Sequence, residues 1–265
     1  MTQETFKLRF HNTNLIKTSV CFTWDDNLIR QIQTIAPLFN KCGLKCTFYI
    51  VPGEKYFYQK YGSGYYELAR QGFELGSHSY LHKHMTKLSE LKVSKEFEEA
   101  IKRFKSYFQF YPITFAFPNH DYNQCLVKKA YSYHLETRNT LTNSIRFSLK
   151  TNTTFEELVQ VLNAAIKSKQ NLVFNGHSII SEEEYQNKEP GEGYEPIRVL
   201  LLEKFLDHIV KWSRRIDIVT FAQAALKEFV RKNATKENNV FMLNSDSLLN
   251  LQKYEISSEI LLGVL

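Results

Sequence analysis

The sequence predicts an α/β protein, a distorted (β/α) barrel of about seven parallel strands with a short C-terminal β-like appendage. Two observations predict it. Short apolar runs of strand character alternate with segments of helical period through most of the chain, as parallel strands with helical crossovers require. The 265 residues, 43% hydrophobic and 14% aromatic, supply one sizeable core without demanding a second. A doubly wound open sheet is the alternative reading of the same alternation.

Element by element, SVCFTW (19–24) reads as a buried strand. The helix after it places Ile29, Ile32, Ile35 and Phe39 on one side and stops at Gly43. KCTFYIV (45–51) is the next strand, a short helix follows near 64–71, and GFELGSH is extended again. From Ser89 a long helix lines up Val93, Phe97, Ala100, Ile101, Phe104 and Phe108. Its partner strand is ITFAF (113–117), followed by a helix near 123–132 and extended segments near 133–137 and 145–149. A helix from Thr154 to about Lys169 leads to the strand NLVFN (171–175). An acidic loop with glycine and proline (181–196) precedes a helix with Ile197, Leu201, Phe205 and Ile209 on one face. Strand IDIVT and helix FAQAALKEFV close the pattern. After about residue 232, KNATKENN reads as a linker, and the apolar runs VFML and EILLGVL as the appendage.

Several function classes are disfavoured. No apolar run approaches the roughly 18 residues of a membrane span, and MTQETFKLRFHN lacks a basic-then-apolar signal, so the chain as written reads as cytoplasmic. The four cysteines (21, 42, 46, 125) have neither zinc-finger spacing nor disulfide density, and read as reduced, mostly buried thiols. The net charge of +6 comes from basic residues scattered among acidic ones, without the stripe that nucleic acid needs.

Polar residues collect where apolar strands end. Asp25 and Asp26 follow SVCFTW, His78 follows FELGS, Asn119 and His120 follow ITFAFP, and His177 follows LVFNG. In a parallel barrel those ends share one face. The His-x-x-x-His pair of HSYLH (78–82) can set two imidazoles on one side of a turn, and a carboxylate from another strand completes a two-histidine, one-carboxylate set. Taken alone, the pair favours surface histidines in a polar loop; Asp25 and Asp26 reverse that balance. Adjacent aspartates behind a buried strand repel each other unless a cation or proton is shared, and both reach one site only if the chain turns, for which Asn27 is suited. Helix capping by Asp26 would explain one aspartate but not both.

TWDDN (23–27), HSYLH (78–82), FAFPNHDYN (115–123) and FNGHS (174–178), in this order, resemble the polysaccharide deacetylases of the NodB-homology type, carbohydrate esterase family four. The resemblance spans about residues 15–230. It implies residues 1–232 as a catalytic domain; the change of texture after about residue 232 sets 233–265 apart as a C-terminal extension, the start of a small β module. The implied activity is metal-dependent hydrolysis of the acetamide of N-acetylated amino sugars, with an N-acetylated carbohydrate as partner and a divalent metal, zinc, as cofactor. It makes Asp26, His78 and His82 metal ligands, Asp25 the general base and His177 the general acid. Pro118 and Asn119 take the oxyanion position, and Tyr80, His120 and Arg138 are candidate substrate or supporting contacts.

The third motif departs from the family: Asn119-His120 replaces an aromatic-glycine pair, and Phe115-Ala116 stands where an arginine orients the base. No Asp-Trp motif orients His177. A catalytically weak carbohydrate-binding module and a deacylase of a non-sugar amide or acetate ester are therefore the alternatives. Although the family often acts outside the membrane, no signal is visible here.

Overall fold

β1 (Thr18–Asp25) runs through the middle of a sheet in which every pairing is parallel. The computed structural model describes residues 17–189, 191–237, 240–243 and 245–256. The sheet takes in β2 (Thr47–Ile50), β3 (Glu74–Ser77), β4 (Thr114–Phe115), β5 (Glu136–Thr137), β6 (Ser144–Ser148), β7 (Asn171–Gly176) and β10 (Ile216–Ile218). Their order is β5-β4-β3-β2-β1-β7-β6, with β10 beside the first half of β1. The sheet curls into a distorted half-barrel with β5 and β6 at its edges.

Alternation along β1 explains the layers. Val20, Phe22 and Trp24 face the helices in the main apolar cluster, where Phe22 stacks on Phe174 at 4.8 Å. Cys21 faces inward among Tyr49, Ala116, Val173 and Phe221. Asp25 continues that inward row at the C-terminal end of the strand. Gly76 makes room for the interior: a Cβ there would lie 2.4 Å from the Tyr49 ring.

The outer helices are α1 (π-wound over Gln31–Ile35, then α-helical over Ala36–Lys41), α2 (Ser63–Arg70), α3 (Glu90–Phe108), α4 (Gln124–Ala130) and α5 (Phe155–Ser168). α5 starts in a capping box of Thr154 and Glu157 and ends at Lys169 in the left-handed region. α3 buries Val93, Phe97, Ala100, Phe104 and Phe108, the stripe its spacing predicts. The expected loop 181–196 differs: Ser181 and Glu184 form a capping box that starts a short helix, α6 (Glu182–Gln186). The helix expected from Ile197 differs too. β9 (Ile197–Arg198) first pairs with β8 (Ile179–Ile180), and α7 (Val199–Ile209) begins after it.

α8 (Phe221–Asn233) closes the N-terminal end of the barrel. Phe221 N–H donates to Thr47 Oγ1 (2.9 Å) and Ala222 N–H to Glu74 Oε2 (2.6 Å). Beyond it, β11 (Ala234–Glu237) and β12 (Val240–Leu243) form an antiparallel hairpin, followed by α9 (Ser245–Gln252). Leu243, Leu251, Tyr254 and Ile256 pack on Leu226, Val230 and Leu135. The apolar run 259–265 and the N-terminal stretch 1–12 lie outside the described residues. No described helix is long and apolar enough to cross a membrane. Of the four thiols, Cys21 and Cys46 are buried, Cys42 is half-buried and Cys125 is exposed; all are free.

His134 is wholly buried against Phe115 and Phe97, and its Nδ1 donates to Pro112 O (2.9 Å). Burial pushes its pKa down to about 4, against the partial support of the Pro112 carbonyl. The unfolded chain therefore binds a proton below about pH 6.5 that the folded chain refuses until about pH 4. Stability contributed by neutral His134 is lost as pH falls through that window, about 2 kcal/mol between pH 7 and pH 5. In urea titrations at those two pH values, His134→Phe is expected to lose less stability on acidification than the wild type does.

Candidate active site

Asp25 and Asp26 reach one cavity because the chain turns between them. Had β1 continued, Asp26 would point at the helices. Instead it adopts φ 81° and Asn27 φ 55°, both in the left-handed region. Asn27 is buried and locks the turn: its Nδ2 donates to Val51 O (2.9 Å), and Val51 N–H donates to its Oδ1 (2.9 Å). Asp26 does not cap α1. The N–H groups of Ile29 and Arg30 are instead taken by the distant Glu192 carboxylate (3.0 Å each).

His78 follows β3, and its ring is oriented by an Nδ1 hydrogen bond to Ala116 O (2.8 Å). That bond leaves Nε2 as the lone-pair nitrogen, 3.5 Å from Asp26 Oδ1. His82 Nε2 lies 3.1 Å from the same oxygen. One donor atom from each of Asp26, His78 and His82 falls within 4.8 Å of the others. The 78–82 loop is held from below by Glu96 of α3, whose Oε2 accepts from the N–H groups of Tyr80 (3.0 Å) and Leu81 (2.8 Å). Burial works against both aspartate charges. For Asp26 the interactions with the His78 and His82 rings outweigh it and hold the carboxyl below the usual range. The hydrogen bond to Asp26 in turn raises His82 above the ordinary histidine value, against the opposing effect of burial.

Asp25 has a partner that the third motif lacks. Arg138, at the end of β5, forms a bidentate pair with it: Nη1 to Oδ1 at 2.6 Å and Nη2 to Oδ2 at 2.7 Å. Only 2% of the Arg138 surface and 3% of the Asp25 surface is exposed. The guanidinium also lies 5.1 Å over the Tyr49 ring. Burial would raise the Asp25 carboxyl, but Arg138, with His78 and His177, outweighs it and keeps the pKa below normal. The arginine thus arrives from the neighbouring strand end rather than from the third motif.

The site opens into a cavity of about 510 Å³. Asp25, Asp26, His78, His82, Asn119, His120, Arg138 and His177 all line it. His177 Nε2 is 3.7 Å from Asp26 Oδ2, and its ring meets Tyr194 at 5.6 Å, nearly perpendicular. Asn119 and His120 have φ 55° and 52°, so the bend falls on two non-glycine residues. Asn139 Nδ2 donates to His120 Nδ1 (3.3 Å), which puts the proton of the neutral ring on Nε2. Burial, and then the Arg138 charge, lower the His120 pKa.

Two expected contacts lie elsewhere. Tyr80 lines a separate cavity of about 290 Å³ with Tyr56, Arg103 and Tyr107, because its backbone is pressed against Gly53. Pro118 is buried beneath the rim and does not line the cavity. Sequence reasoning missed Gln31, Glu96, Asn139 and Tyr194. Gln31, in the π-turn, donates to the backbone carbonyls of Asp25 and His177 and accepts from the Tyr65 hydroxyl (2.7 Å). A glutamine breaking an apolar helix face was the available signal.

In sequence, the family model of the polysaccharide deacetylases matches residues 12–137. No curated protein matches the chain. Among solved structures, the fold is shared with the Xyl-CE4 domain of a multidomain xylanase from the hindgut metagenome of Trinervitermes trinervoides (TM-score 0.57, 17% identity, 87% of this chain and 99% of that one). It is also shared with a family 4 acetyl xylan esterase from Clostridium thermocellum in complex with a cobalt ion (0.53, 18%, 78% and 90%). A third is the peptidoglycan deacetylase PdaC from Bacillus subtilis (0.51, 14%, 83% and 95%).

Proposed function

We propose that this chain, polysaccharide-deacetylase-like in the sequence of residues 12–137 and in its barrel, is a metal-dependent hydrolase that removes acetyl groups from N-acetylated amino sugars. The observation that carries the reading is the trio Asp26, His78 and His82, with the Asp25–Arg138 pair in the same cavity.

The donor chemistry fits a divalent ion. Two imidazole nitrogens and one carboxylate oxygen are the protein ligands of many hydrolytic zinc sites, which keep further positions free. The Ala116 carbonyl on His78 Nδ1 is the outer partner that such a ligand needs. When bound there, a divalent ion such as zinc polarises the acetyl carbonyl and brings the pKa of water to about 7.

The remaining work falls to this chain's own groups. Asp25, held ionised by Arg138, accepts the proton of the attacking water. Its Oδ atoms each keep a lone pair beyond the one given to the guanidinium. His177 returns a proton to the departing nitrogen, which leaves poorly as an anion. The backbone N–H of Asn119 meets the charge that grows on the acyl oxygen. Arg138 answers the absence of the third-motif arginine and favours an active enzyme over a weak binding module.

The test is acetate release from a panel of N-acetylated oligosaccharides and O-acetylated xylan. Activity on the N-acetyl sugars is expected to vanish with chelator and return with added zinc. Release from no N-acetylated sugar, or activity indifferent to chelator, would sink the reading; release from xylan alone would move it to an ester.

A further inference from the structure

We propose that Tyr194 is the stacking platform for the pyranose ring that carries the reacting acetamido group. The inference rests on the deacetylase reading and specifies what part of the sugar that site holds.

Tyr194 is 65% exposed, stands on the cavity wall, and has no hydrogen bond from its hydroxyl among the described residues. Its ring packs edge-on to His177. A tyrosine so open has little packing role of its own, yet its loop is built to hold it still. Two residues earlier, Glu192 grips the N–H groups of Ile29 and Arg30 and approaches Ser178 Oγ (3.5 Å). Gly193 has φ +76°, a conformation that strains any side chain, and a Cβ there would come 2.4 Å from Leu28 Cδ1. Two residues later, Pro196 O accepts from Thr151 Oγ1 (2.8 Å).

The ring is therefore in position before a ligand arrives, and a rigid tyrosine gives contact area at low entropic cost. Beside it, Glu195 Oε2 and Lys150 Nζ pair at 3.0 Å on the same wall, offering an acceptor and donors. An aromatic face bordered by polar groups complements a pyranose, whose C–H bonds make one apolar face and whose hydroxyls ring its edge. Because Tyr194 touches His177, the stacked sugar is the one whose nitrogen receives the proton.

The probe is a soluble tetramer of N-acetylglucosamine, with binding read by NMR in metal-loaded protein and KM read from acetate release. Tyr194→Ala is expected to raise Kd and KM about tenfold and to abolish the upfield shifts of the sugar C–H protons. Tyr194→Phe and Tyr194→Trp should stay within about twofold of wild type. Wild-type affinity in Tyr194→Ala overturns the platform and leaves the deacetylase reading standing. Equal losses in the Ala and Phe variants assign the effect to the hydroxyl and overturn stacking. Absence of both binding and turnover in wild type with every N-acetylated sugar overturns both proposals.

Discussion

Asp25→Asn is expected to keep metal at wild-type stoichiometry and to release acetate roughly a thousandfold more slowly, within the range for loss of a general base. The amide is isosteric but cannot take a proton from water. The metal is retained because Asp25 is not one of the three converging donors; its nearer oxygen is 3.7 Å from His78 Nε2. Measuring bound metal and turnover on the same sample separates the two roles. Loss of metal with activity would make Asp25 a ligand, and near-normal turnover would remove it from the chemistry. The variant is also expected to unfold more easily, since Arg138 then stays buried without a counter-charge.

Arg138→Met carries the complementary expectation. Removing the guanidinium strands a carboxylate that is only 3% exposed, and breaking a buried pair from one side typically costs about 3–5 kcal/mol. Acetate release should fall about a hundredfold or more, because a stranded Asp25 is no longer held ionised or oriented. The informative measurement is the double-mutant cycle by chemical denaturation. In the Asp25→Asn background, Arg138→Met should cost little or stabilise, since it removes an uncompensated charge instead of creating one. Additive losses would mean that the two side chains are not energetically coupled.

The strand and helix rhythm was legible because burial on both faces of a parallel sheet leaves a strong apolar signature in short runs such as SVCFTW and NLVFN. The trio Asp26, His78 and His82 follows from the resemblance of TWDDN and HSYLH to the deacetylase motifs, and the structure sets their donor atoms side by side. The clamps around them were not legible. Asp25 and Arg138 are 113 residues apart, Ile29 and Glu192 163 apart, and no local pattern marks such a bond. Tyr80 shows the converse limit. Its place between two site histidines suggested a sugar contact, but the reversal of the chain at Ser79 (φ 63°) accompanies a side chain turned toward another cavity. The pairing of Ile179–Ile180 with Ile197–Arg198 escaped for a simpler reason: two-residue strands carry no periodicity.

The rim of the cavity holds Asp26, His82, Asn119 and His120, and buried Asn27 and Ser79 stand next to it in the chain, all non-glycine and all at positive φ. Each such residue costs on the order of 1 kcal/mol relative to glycine in the same conformation. Selection for thermal robustness alone would therefore drift these positions toward glycine, and in doing so would erase the donor atoms of Asp26 and His82 and loosen the turns that aim the rest. The rim is thus where foldability and chemistry compete, and where a more durable variant of this protein would first become a silent one.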